Sequence, residues 1–154
     1  MKSDHDTSGS RNLFGDVRIR FGINLTGTPA LGRKEFSTYT QKTIVGVRLV
    51  TVLPTGLYHA DKRINTGSNR WALKPEVGVS KRCKQIYKEA YAGVWFYSDN
   101  NKYLVDKTLH QEPVFSVQGH VSYYFKNLMW VSINGNWFNG GKTLVDETSS
   151  GRLI

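Results

Sequence analysis

The sequence predicts an all-β fold: an antiparallel up-and-down sheet of the transmembrane β-barrel type, of which about six strands are visible. Three observations predict it. Apolar residues recur with period two in successive runs, the side-chain period of a strand whose two faces meet different surroundings. Each run is about ten residues long, more than the usual five or six of a soluble strand and enough for a tilted strand to cross hydrocarbon. The connections alternate between short and long, as they do in bacterial outer-membrane barrels.

In the first strand, Val17, Ile19, Phe21, Ile23 and Leu25 alternate with Asp16, Arg18, Arg20, Gly22 and Asn24. The second, roughly 36–53, sets Val45, Val47, Leu49 and Leu53 against Gly46 and Arg48, although Ile44, Val50 and Val52 share the polar face. The third opposes Trp71, Leu73, Pro75, Val77 and Val79 to Ala72, Lys74, Glu76, Gly78 and Ser80, with Pro75 unable to donate to a ladder. The fourth opposes Ala90, Ala92, Val94 and Phe96 to Glu89, Tyr91, Gly93 and Trp95. In the fifth, Phe115, Val117, Val121, Tyr123 and Phe125 face away from Ser116, Gln118, His120 and Ser122. The sixth does the same with Met129, Val131, Ile133 and Trp137 against Ser132, Asn134 and Asn136. Residues 81–84 and 126–128 make short turns, whereas 54–70 and 98–112 make long loops. Helical composition is tolerable only over Lys81–Ala92, where Tyr and Gly spoil it.

The large aromatics sharpen this reading. Trp71, Phe96, Phe115 and Trp137 fall on the apolar face near the long loops, and Tyr123 and Phe125 near the short turns. A barrel wall collects rings in bands at its two membrane interfaces, so these six are the interface candidates. The opposite face carries Arg18, Arg20, Arg48, Lys74, Glu76, Glu89, Tyr91, Trp95, Gln118, His120, Asn134 and Asn136. Charges are costly toward lipid and acceptable toward water, so these are the candidates for a lumen and permeation path. Lys74 and Glu76 are neighbours on that face, and Glu89 is in position to pair with Lys74 or an arginine.

Composition narrows the remaining classes. The 154 residues hold 21 Lys plus Arg against 12 Asp plus Glu, a net charge of +9. The length suits one domain, and 8 Tyr, 7 Phe and 4 Trp argue against disorder. A single cysteine, Cys83, rules out a disulfide framework or a multi-cysteine metal site. No apolar run approaches the ~18 residues of a transmembrane helix. The first twelve residues are polar throughout and lack a secretory signal's apolar stretch. No catalytic set, cofactor or metal is expected. Gly140-Gly141-Lys142-Thr143 ends like a phosphate-binding loop but lacks its first glycine and its helix, so a glycine-rich loop is the better reading. His59, Asp61, His110 and Glu112 lie in two long loops and read as solvated residues.

Several segments resemble the outer-membrane family of the meta-pathway of phenol degradation, also called simply "transporter". They include Pro54-Thr55-Gly56-Leu57-Tyr58, Gly93-Val94-Trp95-Phe96-Tyr97, Gln111-Glu112-Pro113-Val114 and, above all, residues 65–80, NTGSNRWALKPEVGVS. The resemblance implies a β-barrel channel in the outer membrane of a Gram-negative bacterium, monomeric when intact. It also implies passage of small hydrophobic or aromatic compounds. The expected partners are outer-membrane lipid and such solutes, with no nucleic acid. Because the family's members are longer, the expected organisation is a polar segment over 1–14 and one barrel-type domain over 15–154, incomplete at both ends. Two alternatives stay open: a soluble β-barrel or sandwich with its apolar face turned inward around a hydrophobic ligand, and a basic, aromatic sheet binding single-stranded nucleic acid.

Overall fold

The computed structural model describes residues 14–62 and 64–147. All of the polar 1–14 segment except Phe14, and the tail over 148–154, lie outside the described residues. In chain order the elements are β1 (Val17–Thr26), α1 (Arg33–Thr38), β2 (Thr43–Leu53), β3 (Ala72–Cys83), β4 (Ile86–Tyr97), β5 (Asn100–Tyr103), β6 (Lys107–Gln111), β7 (Val114–Tyr124), β8 (Trp130–Gly140) and β9 (Thr143–Glu147). The large sheet runs β1-β2-β3-β4-β7-β8, and β5-β6-β9 form a small second sheet. Every pairing is antiparallel, so the six long strands make an up-and-down meander.

Period two decides the fold because the register keeps it aligned across all six strands. One row of partners reads Ile23, Val47, Val77, Ala92, Val117, Trp137. The adjacent row reads Gly22, Arg48, Glu76, Gly93, Ser116, Phe138. A slip of one residue in any strand would mix the two faces. The faces differ sharply in accessibility. Val77 is 49% exposed, while Lys74 and Glu76 on the other face are 4% and 8% exposed. Arg18 on β1 reaches to within 5.9 Å of the Trp95 ring on β4, although a flat sheet would separate those strands by three spacings, about 14 Å. The sheet therefore curls with the polar face inward.

This polarity is the reverse of a soluble sandwich. Val17, Leu49, Val77, Val117 and Ile133 are all exposed, and so are most outward residues of the long strands. A continuous apolar surface of this extent far exceeds the patches that soluble monomers tolerate, whereas acyl chains match it.

The structure differs from the sequence expectation at three places and agrees with it at two others. Phe36 belongs to α1 instead of β2, since the Glu35 carboxylate accepts the Gly32 amide at 3.0 Å and caps a short helical turn. The β1–β2 connection, residues 27–42, is therefore long, yet it lies at the same end as the short β3–β4 and β7–β8 turns. Residues 81–92 form the β3–β4 hairpin, as the short turn and fourth strand read from the sequence require, and the turn places Lys84 at φ 55°. The loop over 98–112 and the segment after Gly140 are not irregular; they supply β5, β6 and β9. At Pro75 the β3–β4 ladder is interrupted as its missing N–H requires: pairing passes from Leu73–Phe96 to Glu76–Gly93 with the two intervening pairs absent.

Candidate functional site: the inner face

The inner face is organised around one carboxylate. Arg48 on β2 stands opposite Glu76 on β3, and Lys74 lies two residues before Glu76 on the same face. Glu76 accepts from both, with Arg48 Nε at 3.3 Å from Oε1 and Lys74 Nζ at 2.6 Å from Oε2. The Lys74 and Glu76 side chains are each only 5% exposed. The Arg48 guanidinium also lies 3.9 Å from the centroid of the Tyr91 ring, a close cation–π contact. Tyr91 can lie flat there because its cross-strand neighbour is Gly78: a Cβ at that position would stand 2.3 Å from the ring.

A second layer of polar contacts lies toward the short turns. The Tyr91 hydroxyl donates to Glu89 at 3.1 Å, and the Ser80 hydroxyl donates to the other Glu89 oxygen at 3.1 Å. Glu89 thus pairs with hydroxyls and not with Lys74 or an arginine; Glu76, nearer to those cations, occupies that role. His120 Nδ1 is 2.5 Å from Asn134 Oδ1, and the imidazole sits edge-on to Tyr91 at 5.9 Å. Nearer the long loops, Trp95 has Lys74 Nζ at 5.2 Å and Arg18 at 5.9 Å from its ring. The inner face thus brings together Arg18, Arg48, Lys74, Glu76, Glu89, Tyr91, Trp95, His120 and Asn134. Arg20, Gln118 and Asn136 lie on the same face by register but make no side-chain hydrogen bond or ion pair among the described residues.

On the outer face, Trp71, Phe96, Phe115 and Trp137 are exposed near the long-loop end. Tyr123 and Phe125 are exposed near the short turns, their rings edge-to-face at 4.8 Å.

The long-loop end holds groups that alternation did not single out. Asp16 accepts the Gly56 amide at 2.9 Å, the Ser68 amide at 2.7 Å and the Ser68 hydroxyl at 2.6 Å. Partial burial pushes its carboxyl pKa upward, but these donors outweigh that and hold it below the usual aspartate value. Asn100, 2% exposed, accepts from Asn69 at 2.8 Å and donates to the Ser68 carbonyl at 3.2 Å. Arg70 donates to Gln111 Oε1 at 2.6 Å and stacks 4.6 Å from the Tyr97 ring. The block over residues 65–80 therefore does two jobs: its first part ties the long loops together, and its second part is β3. Signals for Tyr97 and Arg70 were present, since Tyr97 shares parity with Tyr91 and Trp95, and Arg70 lies inside that block.

Among the described residues no group of three or more His, Cys, Asp or Glu could hold a metal. His110 pairs with Asp99 at 2.7 Å. Gly140 and Gly141 adopt φ of 91° and 80° and form the corner between β8 and β9, with the Gly141 amide donating to Pro113. Left-handed backbone, not phosphate binding, accounts for this glycine pair.

The fold is similar to a crystal structure of an outer membrane channel from Pseudomonas putida F1, with a TM-score of 0.70 and 20% identity. The match covers 88% of this chain and 48% of that one, so the chain spans about half the length of the channel it matches. No curated protein matches the sequence. A family profile described as "Putative MetA-pathway of phenol degradation" matches residues 1–150, nearly the whole chain. With period-two strands, an apolar exterior and a profile match of that extent, the chain belongs to this phenol-degradation family.

Proposed function

We propose that this chain forms wall of an outer-membrane β-barrel channel that passes small hydrophobic or aromatic compounds and catalyses no reaction. The carrying observation is the inverted polarity: Val77 and its row are open to the surroundings while the Arg48–Glu76–Lys74 cluster is enclosed. Hydrocarbon outside and water inside is the arrangement in which neither face is penalised. The outer aromatics Trp71, Phe96, Phe115 and Trp137 then mark one membrane interface, and Tyr123 and Phe125 the other. The inner residues line the path, with Tyr91 and Trp95 giving aromatic solutes a surface to slide against. The family's link to phenol degradation and the likeness to an outer membrane channel support this reading; the localisation it requires is the outer membrane of a Gram-negative bacterium. Outer-membrane lipid and small solutes are its partners; nucleic acid is not, and the intact barrel is a monomer.

The test is reconstitution of the chain from detergent into planar bilayers. Discrete conductance steps, together with aggregation when detergent is withdrawn, are the expected result. A monodisperse protein in plain buffer that gives no conductance overturns the proposal.

A further inference from the structure

We propose that a cavity at the long-loop end of the inner face is a recognition site for small aromatic carboxylates. The proposal rests on the channel reading, because it places this site where a solute first meets the path. The cavity measures about 310 Å³, at the small end of the range for ligand pockets, and suits a single substituted ring. Its lining combines three chemistries. Trp95 and Tyr97, two residues apart on β4, present rings 6.3 Å apart and within 15° of parallel. Val52 and Ala72 add an apolar floor. Arg18 from β1 and Arg70 from the loop before β3 add two cationic side chains to the lining.

The charge balance singles out an anion. Asp16 also borders the cavity, but both of its oxygens are taken by Gly56 and Ser68, and neither arginine is ion-paired to it. Glu76 is likewise occupied by Arg48 and Lys74. Among the described residues Arg18 therefore meets an aromatic ring and no carboxylate. Arg70 uses Nη2 on Gln111, while its Nη1 is buried with no hydrogen-bond partner among the described residues. A guanidinium with no carboxylate partner is under-compensated, and a carboxylate is the group that satisfies it best, through paired N–H···O contacts. A ring stacked on Trp95 or Tyr97 places its own carboxylate between the two arginines. A neutral phenol makes the stacking contact alone, and a small carboxylate without a ring makes the ionic contact alone.

The experiment titrates the full chain in detergent with benzoate, phenol and acetate by calorimetry, and measures bilayer conductance on the same preparation. Benzoate is expected to bind at least about tenfold more tightly than either phenol or acetate. Arg18→Gln and Arg70→Lys are each expected to weaken benzoate about tenfold or more, whereas Arg33→Gln on the exposed α1 leaves it unchanged. Arg18 is exposed and makes only a ring contact, so its variant folds even if Arg70→Lys does not. A conducting protein that binds benzoate no better than phenol or acetate, or equally well after Arg18→Gln, overturns this site and leaves the channel reading standing. Absence of conductance together with a monodisperse protein in plain buffer overturns the channel reading and takes the entry role of the site with it.

Discussion

Glu76 carries more of the inner face than any neighbour, because two cations share its two oxygens and both members of the Lys74–Glu76 pair are almost fully enclosed. Removing one partner of such a cluster leaves the others buried and uncompensated, which costs more than the intact cluster contributes. Glu76→Gln is therefore expected to lower stability by about 3–5 kcal/mol. Replacing Lys74 and Glu76 together by apolar residues of similar size is expected to cost much less, since no lone charge remains. Unfolding of the detergent-solubilised variants in urea measures both; a Glu76→Gln protein as stable as the parent would show that water inside the curl already solvates these charges. Arg48 makes the contrast instructive, since it keeps the Tyr91 ring as a second partner when the carboxylate is gone.

At the scale of elements, the long strands were legible and the pieces between them were not. Alternation over residues 17–25 and 71–80 is strong because every second residue meets hydrocarbon-like surroundings, and burial written into the sequence with period two is what a reader can detect. It also located the ladder interruption at Pro75, where the cause is a single missing donor. The elements β5, β6 and β9 are four or five residues long, too short for a period to emerge. Helix α1 escaped for another reason: its start is fixed by one carboxylate reaching back to Gly32, a contact that composition does not announce. The inner site was half visible. Lys74 and Glu76 share a strand and a parity, but Arg70 and Asp16 act through loop geometry that only the fold supplies. Asp16 joins the start of β1 to two loop segments, and its depressed pKa gives this clamp a pH dependence of definite sign. A carboxyl whose folded pKa lies below its unfolded value contributes stability that is fully present above the unfolded value and is lost as pH falls through the folded one. Amide exchange at Gly56 and Ser68 is thus expected to be slow from neutral pH down to the ordinary carboxylate range, and to accelerate, relative to intrinsic rates, only in stronger acid. Asp16→Asn is expected to abolish that acid step, and a step that survives the substitution would assign it to another group.

For the molecule as a whole, the decisive quantity is the difference between the two faces of one sheet, and it can be measured by placing the same charge on each. Val77 is central in β3 and points outward, flanked across the ladder by Val47 and Ala92. Gln118 is central in β7, points inward opposite Tyr91 and Asn136, and makes no polar side-chain contact among the described residues. If acyl chains cover the outer face, an arginine at 77 must be stripped of water near the middle of the hydrocarbon layer, a penalty of about 2–4 kcal/mol. An arginine at 118 stays in a wet interior and is expected to change stability by less than about 0.5 kcal/mol. A water-soluble sheet reverses the order: Val77→Arg would be harmless on an exposed surface, and Gln118→Arg would force a charge into its enclosed side. Unfolding free energies of the two variants in lipid vesicles therefore separate the two environments by sign as well as by size. The aromatic bands extend the same logic along the strand axis, since the penalty for an outward arginine falls toward the interfaces. Arginine placed beside Phe96 or Tyr123 is expected to cost less than at Val77, and a flat profile along the strands would mean that no membrane surrounds the sheet.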